Sequence, residues 1–209
     1  MKSLLLLSTF AVALAATLCR AAELDAKTEA LLAEVDATFT ANGRQISPKL
    51  IRVFEPWLSD RNIVVTQVSL TTAMGSNQFG LHGTKRFGPP DFPGPARFQW
   101  SIPEDEPGGP MTFLYEYVGR LDGGTHVLRT TVNDGGSGWF DSVIFVRARA
   151  IELGGDGWHV VLEPRGGFPI GDRSERPITI EGDHAVVGPS AESAMPQRRI
   201  EKREELRPW

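Results

Sequence analysis

The sequence predicts a mainly β protein of the α+β class: an antiparallel β-sandwich or barrel-like meander of about eight strands, preceded by two N-terminal helices. Three observations carry this. The apolar period is helical up to about Phe54 and becomes two from Asn62 onward. Short alternating segments then recur at regular spacing, with most of the 22 glycines and 15 prolines between them. The joining loops are short, so neighbouring strands are expected to pair in chain order.

The chain opens with a leader pattern. Lys2 precedes an apolar run from Leu4 to Leu18, and the small residues Ala21 and Ala22 follow. This is the layout of a secretory signal peptide, with cleavage expected after Ala21 and Cys19 at the third position back. The run is short for a membrane span, which needs roughly 20 residues. A lipoprotein cut before Cys19 is the alternative, but Leu18 stands where a small residue is needed. Removal of residues 1–21 takes away the single cysteine, so the exported chain must be held by packing without disulfides.

Two helices are expected next. From Asp25 to Thr40, Leu31, Leu32, Val35 and Phe39 form an apolar stripe, and Asn42-Gly43 is read as the end of the helix. Ser47 then offers a cap, Pro48 fits the first helical position, and Ile46 can staple onto Ile51. Leu50, Ile51 and Phe54 share a face, and Pro56 stops the helix near Glu55.

The strands follow in order. Val64–Leu70 alternates, with Val64, Thr66, Val68 and Leu70 on one side. Ala96–Ile102 sets Ala96, Phe98, Trp100 and Ile102 against Arg97, Gln99 and Ser101. Met111–Val118 places Phe113, Tyr115 and Tyr117 on one face, and Thr125–Val132 follows the turn Asp122-Gly123-Gly124. Asp141–Ile151 has an apolar first half and then alternates Arg147 and Arg149 with Ala148 and Ala150. Trp158–Glu163 follows Gly154–Gly157, and Gly166-Gly167 reads as a turn. A final hairpin joins Ile178–Glu181 to His184–Val187 through Gly182-Asp183, as a type II′ turn. Arg86–Pro95 holds four prolines and is expected to be an extended loop. The tail from Ser190 is either a last edge strand or a solvated charged extension. The domain division expected is thus 1–21 leader, 22–60 helical segment, 61–189 β-domain and 190–209 tail.

Charge narrows the partners. The chain carries 22 Lys and Arg against 26 Asp and Glu, a net −4, and loss of Lys2 and Arg20 leaves −6. This argues against nucleic-acid binding. No later apolar run is long enough to make a transmembrane span in the mature chain.

Candidate chemistry is sparse. The histidines His82, His126, His159 and His184 have no zinc-type spacing, so no metal and no cofactor is implied. His126 shares a strand side with Leu128 and Val132 and should be partly buried. His159 is placed opposite Trp158, Val160 and Leu162 and should be wetter. Asn133–Gly138, even with Asp141, offers too few oxygens for a calcium loop and reads as a hairpin. In Gly75–Gly80, the hydroxyl of Ser76 and the amides of Asn77 and Gln78, followed by His82, suit a neutral polar ligand such as a sugar. The same amides also serve simply to close a turn. Among the five tryptophans, Trp139 and Trp209 have contexts that leave a ring exposed, while Trp100 and Trp158 fit buried faces.

The ligand-binding set expected from sequence is therefore Ser76, Asn77, Gln78, His82 and Trp139. The expected function is an exported, periplasmic or extracellular, non-catalytic β-domain that binds a small polar ligand or a cell-envelope protein. Two alternatives remain. One is a secreted hydrolase using carboxylates and a histidine, such as Asp60, His82 and Asp134. The other is a structural subunit that pairs through a strand edge.

Overall fold

A computed structural model describes residues 24–55, 65–75, 85–87, 97–102, 111–174, 176–189 and 204–206. The leader and the proline-rich 88–95 stretch lie outside these residues. The fold is mainly β and antiparallel.

Helix α1 spans Ala26–Thr38. The Asp25 carboxylate caps it, accepting from Thr28 N at 2.9 Å and Thr28 Oγ1 at 2.6 Å. These bonds favour the ionised carboxyl and hold it below its usual range. Leu31 and Val35 are buried, as the apolar stripe requires. The helix closes at Phe39, in a left-handed conformation (φ 54°), rather than at Asn42-Gly43. Those two residues instead have φ 53° and 69° and turn a small hairpin, from β1 (Thr40–Ala41) to β2 (Arg44–Gln45). Two positive φ values in a two-residue loop favour Asn-Gly. The Glu34 carboxylate reaches over from α1 and accepts from Asn42 N (2.9 Å), Gly43 N (2.7 Å) and Thr40 Oγ1 (2.8 Å).

The second helix is shorter than its pattern implies. α2 is a single turn, Pro48–Ile51, with Ser47 accepting from Lys49 N, and a 3₁₀ turn Arg52–Phe54 continues it. Glu55 is extended (ψ 122°), as the residue before Pro56 must be. A further correction concerns 65–75. Only Val68–Ser69 (β3) is strand, and Leu70–Gly75 forms helix α3. Ser69 Oγ accepts the Thr72 N–H at 3.1 Å, so a capping bond overrides the alternating pattern.

The main sheet contains β3, β4 (Lys85–Phe87), β5 (Arg97–Ile102), β6 (Met111–Arg120), β7 (His126–Asn133), β8 (Phe140–Glu152) and β9 (Trp158–Asp172). Its order is β3-β9-β8-β7-β6-β5-β4, so β4 to β9 form a meander of short-loop neighbours. β4 occupies the start of the expected 86–95 loop. β9 runs well past Glu163, and Gly166-Gly167 is strand rather than turn: register shifts in the β8–β9 pairing absorb the irregular Pro164–Gly171 stretch.

The sheet is buried on both faces. On one, Phe113, Tyr115, Leu128, Val132, Ile144, Val146, Val160 and Leu162 pack against α1, α2, α3 and Phe39. The Tyr115 hydroxyl donates to Ile46 O at 2.5 Å, and burial raises its pKa. On the other, Val127, Val143, Phe145 and Ile170 pack against β10 (Ile178–Glu181) and β11 (His184–Val187). β10 and β11, with β12 (Glu204–Leu206) on β11, form a separate three-stranded sheet, so part of the tail is an edge strand. Gly182 has φ 64° in the β10–β11 turn, the sign that a type II′ turn needs at its first central position. Burial on both faces explains the uninterrupted Val143–Val146 run.

A polar layer crosses the sheet where Thr130 pairs with Ser142. Glu55 is buried there: Oε1 accepts from Ser142 Oγ at 2.8 Å and Oε2 accepts from Thr130 Oγ1. From the paired positions Thr131 and Asp141, the Asp141 carboxylate accepts from Thr131 Oγ1 and Arg129 Nη2. Arg129 and Arg176 then bond carbonyls that tie the smaller sheet in place: Arg129 to Arg176 O, and Arg176 to Gly188 O and Val187 O.

Candidate functional site: a groove at a step in the sheet

The β7–β8 register ends at His126↔Val146, yet β8 continues to Glu152. Arg147–Glu152 therefore pair with β9 but not with β7, and the β8–β9 ribbon projects past the β6–β7 turn. A groove of about 550 Å³ lies at this step. Leu32 and Asp36 of α1, Arg120 and the turn Asp122–Gly124, Arg147–Arg149 of β8, and Glu163 and Arg165 of β9 line it.

Four arginines meet three carboxylates here, and the pairing is uneven. Arg149 Nε lies 2.8 Å from Glu163 Oε1, and Arg120 Nη2 lies 3.6 Å from Asp36 Oδ2. Glu163 stands directly opposite Arg147 in the β8–β9 register, but its carboxylate is taken up by Arg149. Arg165 sits between Pro164 and Gly166, where the register shifts. A bulge of this kind re-aims a side chain relative to regular alternation. Among the described residues, neither Arg147 nor Arg165 has a carboxylate within 4 Å. Gly124 (φ 82°) belongs to the turn, and a Cβ there would come 3.1 Å from Arg120 Nη2. The glycine thus serves both the turn and the seat of that guanidinium.

A buried histidine backs the groove wall. His126 is fully buried, its ring tilted at 50° to Phe39 with centroids 5.0 Å apart, and with Nδ1 3.4 Å from the Tyr117 hydroxyl. Its Nε2 is 3.6 Å from Asp36 Oδ1 and makes no hydrogen bond. Burial lowers its pKa to about 4; nearby Arg120 also disfavours the charged ring, and Asp36 opposes both. His126 is therefore neutral at physiological pH. The expectation for His159 is overturned: it is 8% exposed, because β3 and α3 cover it, with Nδ1 3.1 Å from Ser69 Oγ and 3.3 Å from Thr72 Oγ1.

Of the ligand set expected from sequence, Ser76, Asn77, Gln78 and His82 lie outside the described residues, as does Asp60. Trp139 is 37% exposed but stands at the other end of β8, where Val132 pairs with Phe140. Its backbone is bound to Asp172 Oδ1 and Arg173 N. Asp134 is in the same exposed loop, which Asn133 closes by donating to Gly136 O and Gly138 O and accepting from Gly135 N. That is the hairpin reading of 133–138. The groove residues were missed as a site, although the Arg147/Arg149 alternation was the visible sign of a charged strand face. Among the described residues no three His, Cys, Asp or Glu side chains gather as a metal site, and no helix is long and apolar enough to cross a membrane.

No protein-family model, curated protein or solved structure matches the chain.

Proposed function

We propose that the chain is an exported, non-catalytic binding domain that holds a small polar ligand in the groove beside the β8–β9 ribbon. The observation that carries this is the pair Arg147 and Arg165, two guanidinium groups in one concave site without carboxylate partners among the described residues. Both line open space of a size suited to a small molecule. Among the described residues that line it, the polar side chains are arginines and carboxylates. The export part rests on the Lys2–Ala22 leader pattern.

A second reading draws on the step itself. Arg147–Glu152 leave one edge of β8 without a strand neighbour among the described residues, an edge on which an envelope protein or a second copy can add a strand. The charges of Arg147 and Arg149 oppose this, since edge charge is a common guard against pairing.

The test is calorimetric titration of the processed chain with a panel of sugars, amino acids, carboxylates and phosphates, repeated on Arg147→Gln/Arg165→Gln. Saturable binding by a panel member, lost in the double variant, supports the groove. Binding unaffected by the double variant places the ligand elsewhere. Sequencing the mature N-terminus tests export: a start at Ala22 is expected, and an unprocessed Met1 overturns it.

A further inference from the structure

We infer that the groove selects an oxyanion, a ligand presenting carboxylate or phosphate oxygens, and that Glu163 sets its affinity by occupying Arg149. This rests on the groove being the binding site and specifies the ligand's charge.

The argument is one of competition on a strand pair. Arg147 and Arg149 lie two residues apart on β8 and so point the same way. Glu163 is the carboxylate opposite them, at the position paired with Arg147. Its single charge balances one guanidinium, and it lies 2.8 Å from Arg149 Nε. Arg147 is left over, and Arg165 joins it from the neighbouring strand on the same groove. Arg120 borders the site from the other side, held at 3.6 Å by Asp36 rather than tightly paired. Planar guanidinium forks match the paired, negatively charged oxygens of carboxylates and phosphates, and a neutral sugar offers oxygens without that charge. The remaining carboxylate of the lining, Asp122, is on the turn that docks to β10–β11, where its backbone N–H donates to Gly182 O at 3.1 Å. Its Oδ2 lies 3.7 Å from where a Cβ on Gly182 would stand, so it faces that neighbouring turn. A chain of overall charge −4 thus concentrates exposed guanidinium groups at one concave spot.

The experiment titrates the processed chain with inorganic phosphate, citrate and maltose, and measures co-sedimentation with vesicles of phosphatidylcholine alone or mixed with phosphatidylglycerol. Phosphate and citrate distinguish the oxyanion, and the vesicles distinguish a lipid headgroup from a free anion. The expected result is saturable anion binding that weakens about tenfold in Arg147→Gln and again in Arg165→Gln. Arg147→Lys should recover only part of it, because the charge returns without the fork. Glu163→Gln should act in the opposite direction, tightening anion binding several-fold by releasing Arg149. That variant also guards against misfolding as an explanation, since an unfolded protein does not gain affinity. If maltose binds in an Arg147- and Arg165-dependent way and no anion does, the oxyanion class is wrong while the groove survives. If Glu163→Gln weakens anion binding, the competition is wrong. If no probe binds, or anions bind equally to the double glutamine variant, the inference is overturned.

Discussion

Two polar clusters on the same sheet, one around Glu55 and one around Arg147, use similar residues to opposite ends. Glu55 enters the sheet face at the Thr130–Ser142 pair, and both of its oxygens accept hydroxyl donors from adjacent strands. The groove lies one strand-length away along β8, and there the donors outnumber the acceptors. The first cluster is closed: burial is tolerable because each carboxylate oxygen has a donor. The second is open, and its unspent guanidinium groups are stable only because water reaches them. Satisfaction, more than the mere presence of charge, separates a structural polar cluster from a binding one.

The sharpest way to break this contrast is Glu55→Ala. It strands the Thr130 and Ser142 hydroxyls in the interior and should cost about 3 kcal/mol in urea denaturation, with Glu55→Gln costing less. A loss below about 1 kcal/mol would remove Glu55 from the structural class. His126 stands between the two clusters, buried yet adjacent to Asp36 of the groove wall. Its folded pKa of about 4 is below the 6.5 of an unperturbed imidazole. The unfolded chain therefore takes up this proton first as pH falls. The neutral ring's contribution is complete above about pH 6.5 and declines toward pH 4, by about 3 kcal/mol in all. Denaturation curves at several pH values should show this decline, and His126→Gln should flatten it; an unchanged slope would contradict the assignment.

Glu34 sharpens the comparison from the surface. Its carboxyl is held below the usual range, first by the Gly43 N–H, then by the Thr40 hydroxyl, with a smaller part from Asn42 N–H. It is a closed cluster without deep burial. Glu34→Ala should cost about 1 kcal/mol, and the wild-type contribution should fade as pH drops through the depressed pKa. A variant as stable as wild type would mean that satisfaction alone does not mark a structural role. The smallest stability change is expected in the groove. Arg147→Gln should shift unfolding by no more than about 0.5 kcal/mol, because it removes an exposed side chain without an ion-pair partner among the described residues. A loss comparable to that of Glu55→Ala would make the groove arginines structural and dissolve the contrast.

Much of the fold was legible along the chain. The strands read at Met111, Thr125, Asp141, Ile178 and His184 appear within a few residues of their observed bounds, because each alternates against a fixed interior. The misreadings share a cause. At Ser69 a side chain bonded the backbone and started a helix inside an alternating pattern. At Asn42-Gly43 the same two residues suit a helix end and a hairpin turn equally, and Phe39 took the helix end. At Gly166-Gly167, pairing with a long β8 carried the chain through residues that favour turning. In each case a partner distant from the window decided between locally similar options.

The sequence by itself determined the strands that begin at Met111, Thr125, Asp141, Ile178 and His184 to within a few residues, and that Arg147 and Arg149 point the same way. Only the tertiary structure decided that β8 outruns β7, that Glu163 falls beside Arg149, and that Arg165 and Arg120 arrive at the same hollow. The reason is physical: side-chain alternation is a property of one strand's backbone, whereas register and bulges come from the pairing of strands. A site assembled across four elements has no period in the chain that makes it.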